Sequence, residues 1–223
     1  MTQPHDPDRI KPMGKLKDRY EERVLPVVID KLCGNKAGLP HRSETVAGTH
    51  GVVLEIGFGS GHNLALYPSA VEMLYVVEPS ARAIELARER IAQAPFPVEV
   101  VGLNGESIPL GDDSVDCVVS TFSLCTIPDV AAALREVHRV LKPHGTLHVL
   151  EHGLADESNV QRWQHRLNPT QRRFCGGCNL IRHVPSMLTT AGFRLDEVHR
   201  WYEKGPKALS AFTRATASPI PHA

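Results

Sequence analysis

The residues best placed to do chemistry fall in Val-Leu-Glu-Ile-Gly-Phe-Gly-Ser-Gly-His-Asn, residues 53–63. Gly57, Gly59 and Gly61 follow a strand pattern, where absent side chains let a ligand approach the backbone. Two nucleotide chemistries use such a loop. A dinucleotide fingerprint needs G-x-G-x-x-G, and counting from Gly57 its third glycine would fall on His62. The spacing is G-x-G-x-G instead, with Glu55 two residues ahead. A carboxylate there suits a cofactor carrying an ammonium group and would repel a pyrophosphate. Glu78, 21 residues after Gly57, stands where an acid can accept hydrogen bonds from both ribose hydroxyls. The plain alternative is a tight turn with surface carboxylates, but both acids are in register with the glycines.

Cys175-Gly-Gly-Cys178 is a second constellation. It supplies two of the four ligands zinc takes, and His165 and His183 fall at a spacing that fits no recurrent finger. A metal pair, a redox pair and a glycine turn packing its cysteines all remain open. The expectation is the turn, with no metal.

These residues need elements to hold them. Residues 15–33 have apolar positions near helical spacing, and Pro26 splits them into two short helices. Residues 34–50, rich in Gly, Pro, Ser and Thr, read as a linker. Strand and helix signals then alternate: strands at 51–57, 74–78, 97–102, 114–122 and 145–153, and helices at 62–70, 80–94 and 129–145. Helices at 157–174 and 183–191 and strands near 194–202 and 207–215 complete the body. This alternation predicts an α/β fold: a doubly wound, seven-stranded, mostly parallel sheet with helices on both faces. The tight connection at Gly205-Pro206 leaves no room for a crossover helix, so one strand near the edge runs antiparallel. The expected divisions are a disordered start (1–14), a helical cap and linker (15–50), a cofactor-binding domain (51–216) and a loose tail (217–223). Within the domain, 157–191 would cover the substrate.

The 223 residues carry 25 Lys and Arg against 25 Asp and Glu. That balance argues against a general polyanion binder, so no nucleic-acid partner is expected. It conceals a segregation: residues 91–134 hold six acids and no Lys or Arg, and residues 158–195 hold six arginines and no acid. No apolar run approaches the roughly 18 residues of a membrane span, and the opening MTQPHDPDRIKPMG has no apolar core. Five scattered cysteines suit a reducing compartment, so a cytoplasmic protein is expected.

With these residues in place, the sequence resembles the class I S-adenosylmethionine-dependent methyltransferases over about residues 50–215. The resemblance implies a Rossmann-like fold, S-adenosyl-L-methionine as cofactor and a small-molecule methyl acceptor. It implies that Glu55, Gly57, Gly59 and Gly61 hold the methionine end, and that Glu78, with Pro79 beside it, binds the ribose. Asn104 stands where the family usually has an Asp contacting the adenine amino group, with Gly105 offering a backbone contact. Thr121 would face the methyl region, and Tyr20 would cap the pocket or pack in the core. A narrower likeness joins STFSLCTIPD, REVHRVLKPHG, LEHG and FCGGCNLIR to the small-thiol methyltransferases of the methyltransferase-like group. Those enzymes are anchored to membranes by an apolar N-terminus, which is not found here, so only peripheral membrane contact is left open. Phospholipid and quinone methyltransferases share the cofactor half, as would a non-catalytic S-adenosylmethionine-binding regulator.

Methyl transfer from a sulfonium is an in-line displacement with a neutral thioether leaving. The protein must chiefly position the nucleophile and exclude water. A thiol, with a pKa of about 8.5, needs only modest help to become the reactive thiolate. His152, directly after the fifth strand, is the candidate base or substrate orienter; otherwise it is a histidine hydrogen-bonded at a strand end. Glu151 either orients that ring or is solvated, and Cys125 either lines the pocket or packs in the core. Cys178 and Arg182 belong to the substrate side, Arg182 pairing with an anionic substrate or with a protein carboxylate.

Overall fold

The computed structural model describes residues 20–34 and 38–220; the expected loose start, part of the linker and the last three residues lie outside them. Seven strands form one sheet: β1 (Gly51–Ile56), β2 (Val71–Val77), β3 (Val98–Gly102), β4 (Val115–Thr121), β5 (Leu141–His152), β6 (Phe193–Tyr202) and β7 (Ala211–Pro219). Their order is β3-β2-β1-β4-β5-β7-β6. All neighbours are parallel except β5–β7 and β6–β7, so β7 alone runs against the rest. Chain order reverses between β1 and β4, which opens a crevice beyond their carboxyl ends. Gly57 follows β1 directly and Thr121 ends β4, so the crevice falls on the predicted loop.

The helices are α1 (Leu25–Cys33), entered through a π-helical turn at Tyr20–Val24, then α2 (Leu39–Val46), α3 (Ala81–Ala92), α4 (Val130–Val140), α5 (Ser158–Phe174) and α6 (Val184–Thr190). Ser80 caps α3 by accepting from the Ala83 N–H, and Asp129 caps α4 by accepting from Ala132. On one sheet face, Leu134, Val137 and Val140 of α4 and Val184 and Leu188 of α6 pack on Leu54, Val118, Leu147 and Val149. On the other, Ala87 of α3 and Val46 of α2 pack on Val53, Leu74, Val76 and Val119. Strands buried on both faces carry the near-continuous apolar runs seen in β1 and β4.

Several boundaries differ from the sequence reading: the helix expected at 129–145 ends at Val140, β5 begins at Leu141 and not 145, and β2 begins at Val71 and not 74. The helix expected at 62–70 is only a 3-10 turn, Leu64–Leu66, because Tyr67 precedes Pro68 and is held extended (φ −62°, ψ 137°). The linker at 34–50 contains α2, whose buried face carries Arg42 and Thr45 as well as Val46 and so shows little apolar periodicity. The last strand is Ala211–Pro219, not 207–215, and takes up the start of the expected tail. Residues 207–209 form a 3-10 turn after Pro206, and the strand shows itself by alternating burial. Among the described residues no helix is long and apolar enough to cross a membrane.

Candidate active site

A cleft of about 640 Å³ opens over the β1 and β4 ends. Two glycines of the loop are required for different reasons. A Cβ on Gly57 would lie 2.0 Å from Ser123 Oγ, so β4's following turn packs against bare backbone. Gly59 (φ +57°) has nothing within 4 Å of such a Cβ; it lines the cleft and keeps ligand space open. Gly61 lies underneath, packed on Phe58 and Leu64, and does not line the cleft.

Glu78 reaches across from the end of β2. One carboxylate oxygen accepts from the Gly59 N–H (2.7 Å) and the other from the Ser80 N–H (2.8 Å). Burial pushes its pKa up, while those two N–H donors hold it down. Each oxygen keeps a lone pair for a ligand, and Glu78 and Pro79 both line the cleft. Asn104 and Gly105 line it too. Asn104 Oδ1 already accepts from the Glu106 N–H (2.8 Å), so a contact to an amino group would use its second lone pair. Gly105 lies close on Ile56, where a Cβ would come within 3.0 Å.

Glu55 does not meet the cleft. It is fully buried, accepting from Asn63 Nδ2 (2.7 Å) and from the Tyr67 hydroxyl (2.8 Å), and burial pushes its pKa up to about 7. The expected direct contact with an ammonium group is therefore replaced by a relay. Asn63 donates to Glu55 on one side and accepts from Arg42 Nη1 (2.9 Å) on the other. Arg42 Nη1 also donates to Thr121 Oγ1 (2.9 Å), and its guanidinium lies 5.0 Å above the Phe122 ring. Arg42 is 4% exposed, lines the cleft, and leaves its Nε without a partner. A buried cation with an orphaned donor is set to receive an anion. Nothing in the sequence of α2 distinguished Arg42 from a surface arginine.

The expected substrate-side residues separate. His152 is half-buried behind Phe122, its ring stacked 4.6 Å from Phe212 and edge-on to Phe122 at 6.2 Å. It does not line the cleft, whereas Phe122 does. Phe122 holds a left-handed backbone (φ 60°) that turns its ring into this position. Cys178, buried, brings its sulfur 3.5 Å from His152 Nδ1. Arg182 does not line the cleft and pairs with no carboxylate among the described residues. Its guanidinium donates to the Leu124, Ile127 and Pro128 carbonyls and so ties down the turn after β4. Glu151 neither orients His152 nor faces water. Fully buried, it accepts from Ser120 Oγ and from the N–H groups of Ser123 and Leu124, fixing the same turn. Cys175 is exposed and Cys178 buried, and among the described residues no three His, Cys, Asp or Glu side chains gather to hold a metal.

Tyr20 does not line the cleft; its hydroxyl donates to the Phe174 carbonyl (3.2 Å). Leu25, Pro26 and Ile29 of α1 line the cleft instead. The helix is held there by Asp30, which accepts from Ser60 Oγ (2.6 Å) and pairs with His62 (3.1 Å) and Arg90 (3.4 Å). The sequence offered no sign of this clasp across thirty residues of separation.

Residues 54–149 match the methyltransferase domain family. The chain is 31% identical to the human thiol S-methyltransferase TMT1A over 177 residues, covering 77% of this chain and 72% of that protein. The chain belongs to the class I S-adenosylmethionine-dependent methyltransferases. The ubiquinone/menaquinone biosynthesis C-methyltransferase UbiE of Rubrivivax gelatinosus is 35% identical over 105 residues, 47% of this methyltransferase and 40% of that protein. In fold, the methyltransferase is similar to the Haemonchus contortus phospholethanolamine N-methyltransferase 2 solved with S-adenosylhomocysteine. The TM-score is 0.70 at 15% identity, covering 95% of this chain and 62% of that one. The cleft fits S-adenosylmethionine chemically: Arg42's unpaired Nε suits the carboxylate, and Glu78's spare lone pairs suit the ribose diol.

Proposed function

We propose that the methyltransferase methylates a small apolar thiol, with His152 as the base that takes the thiol proton. The observation that carries this reading is an aromatic cluster at the cleft: Phe122 lines it, and His152 and Phe212 pack directly behind that ring. It offers apolar surface and one titratable nitrogen pair, which a thiol needs and a phenol or carbon acid would exceed. The name of the human relative supports the thiol. S-adenosylmethionine supplies the activated methyl group when bound. Arg42 would hold its carboxylate, Glu78 its ribose, and Asn104 and Gly105 its adenine. Phe122 would exclude water from the transfer path.

The reading is tested by mass spectrometry of alkyl and aryl thiols, ethanolamine lipid and quinol precursors incubated with isotope-labelled cofactor. Label entering the thiols is expected; label entering only another acceptor overturns it. Gly59→Arg fills the ligand space and is expected to abolish S-adenosylhomocysteine binding by calorimetry. Retained binding would contradict the placement of the loop.

A phospholipid head group is the second reading, and one observation favours it. Arg162, Arg166 and Arg173 share one exposed face of α5 beside Trp163 and Phe174, each of which is 57% exposed. Arg166 and Arg173 lie 5.3 and 5.8 Å over those two rings. Such a face suits peripheral contact with anionic lipid. Turnover stimulated by liposomes would support this reading, and indifference to them would remove it.

A further inference from the structure

Two buried thiols beside the acceptor side, Cys125 and Cys178, have no part in cofactor binding as described. We infer that Cys178 is a positioning residue for His152: its sulfur accepts from Nδ1–H and so leaves the Nε2 lone pair as the proton acceptor. This rests on the thiol-methylation reading and names the atom on which it turns.

The sulfur is fixed by its surroundings rather than by its own rotamer alone. The Cys178 N–H donates to the Cys175 carbonyl (3.0 Å), closing the turn, and the Asn179 N–H donates to the Cys125 carbonyl (2.9 Å). Gly177 (φ +85°) approaches so closely that a Cβ there would lie 3.3 Å from the Thr126 carbonyl. Arg182 then clamps the next residues to the Leu124 and Ile127 carbonyls. The Cys-Gly-Gly-Cys turn thus presses Cys178 Sγ against His152 Nδ1, at 3.5 Å. A thiol is both a weak donor and a weak acceptor, so a neighbour must choose between those roles. The imidazole N–H is the stronger donor of the pair, and the Cys125 thiol is turned to the Phe122 carbonyl (3.6 Å), so it sets Cys178 no competing role. The sulfur is therefore the acceptor toward the ring.

Other charged groups around the pair are committed elsewhere. Glu151 is taken up by Ser120 and the turn N–H groups, Arg182 by carbonyls, and Arg42 by Asn63 and Thr121. Cys33 of α1 lines the cleft, and burial raises its thiol pKa, keeping it protonated. In the transfer, the acceptor S–H proton goes to Nε2 and the thiolate electron pair forms the new S–C bond. The electron pair of the breaking C–S bond stays on the departing sulfur. Imidazolium formation is favoured by an electron-rich sulfur on its far side.

Nitrogen-15 NMR of histidine-labelled protein, with His152→Gln supplying the assignment, reads the tautomer without altering Cys178. A Nδ1–H, Nε2-unprotonated ring is expected; a Nε2–H ring overturns the inference. In kinetics, Cys178→Ala should lower kcat for thiol methylation at least about tenfold with little change in KM, and move the acid limb of the pH profile. Cys178→Ser, which keeps an acceptor, should recover most of the loss. Unchanged S-adenosylhomocysteine binding by calorimetry shows that both variants are folded. If Cys178→Ala keeps the wild-type kcat and acid limb while His152→Gln is inactive, the positioning role falls and the base stands. If the wild-type enzyme methylates no thiol, the functional reading itself fails and this inference falls with it.

Discussion

Arg42 is the residue on which the cofactor site depends most. Its guanidinium is buried, hydrogen-bonded to neutral oxygens, and short of one partner at Nε. A charge-assisted hydrogen bond contributes about 1.5–3 kcal/mol, so Arg42→Ala should weaken S-adenosylhomocysteine binding by roughly 10- to 150-fold in calorimetry. Unchanged affinity would place the carboxylate elsewhere. Behind it, Glu55 carries a pH dependence whose sign follows from burial. Its folded pKa, about 7, lies above the ordinary 4.5, so the folded state prefers the protonated acid. Its stabilising contribution is complete below pH 4.5 and is lost as pH rises through 7. Glu55→Gln keeps the neutral shape, so wild type should lose stability relative to the variant over that window. Urea midpoints at pH 5 and pH 8 check this, and a pH-independent gap would contradict it. Gly57, Gly59 and Glu78 were readable from the sequence because their chemistry depends on spacing along one loop and one strand end. Arg42 and Asn63 were not, because their partners come from α2, the β1 loop and β4, joined only in three dimensions.

At the scale of elements, the sequence was clearest where one periodicity dominates. Strands β1, β2 and β4 are apolar runs, and α3 and α4 carry a stripe and a cap, so their placement followed directly. It was least clear where polar residues are buried or small residues are paired. α2 buries an arginine and a threonine, and β7 packs alanines that carry little strand preference of their own. Pro68 decided the 62–70 segment through the residue before it, a local veto stronger than the apolar pattern. The hold of α1 on the cleft is also polar. Asp30 is partly exposed, so Asp30→Ala should cost less than about 1 kcal/mol of global stability. Amide exchange of Leu25–Cys33 should nevertheless accelerate, and S-adenosylhomocysteine should dissociate faster, since the clasp to Ser60, His62 and Arg90 is gone. Exchange unchanged in α1 would show that apolar contacts alone hold it.

Over the whole molecule, zero net charge does not mean an even surface. The acidic stretch is answered by residues outside it: Arg139 pairs with Asp112, and Lys142 with Asp116. The basic stretch is not answered in the same way. Arg162, Arg166, Arg172 and Arg173 of α5 are exposed and make no ion pair among those found in the described residues. The two halves of the enzyme therefore differ in kind. The β1–β4 half is built around recognition of a charged cofactor, and the β5–β7 end carries aromatic rings and a histidine beside the same cleft. That division makes the nucleophile the decisive unknown of the reaction. The most direct measurement is kcat/KM for a matched series on one apolar scaffold, bearing a thiol, an amine or a phenol, with the methylated atom located by mass spectrometry. The thiol should be methylated on sulfur with kcat/KM at least about tenfold above the others, and His152→Gln should remove most of that advantage. Preferential methylation of the amine or phenol, with the thiol untouched, would contradict the assignment.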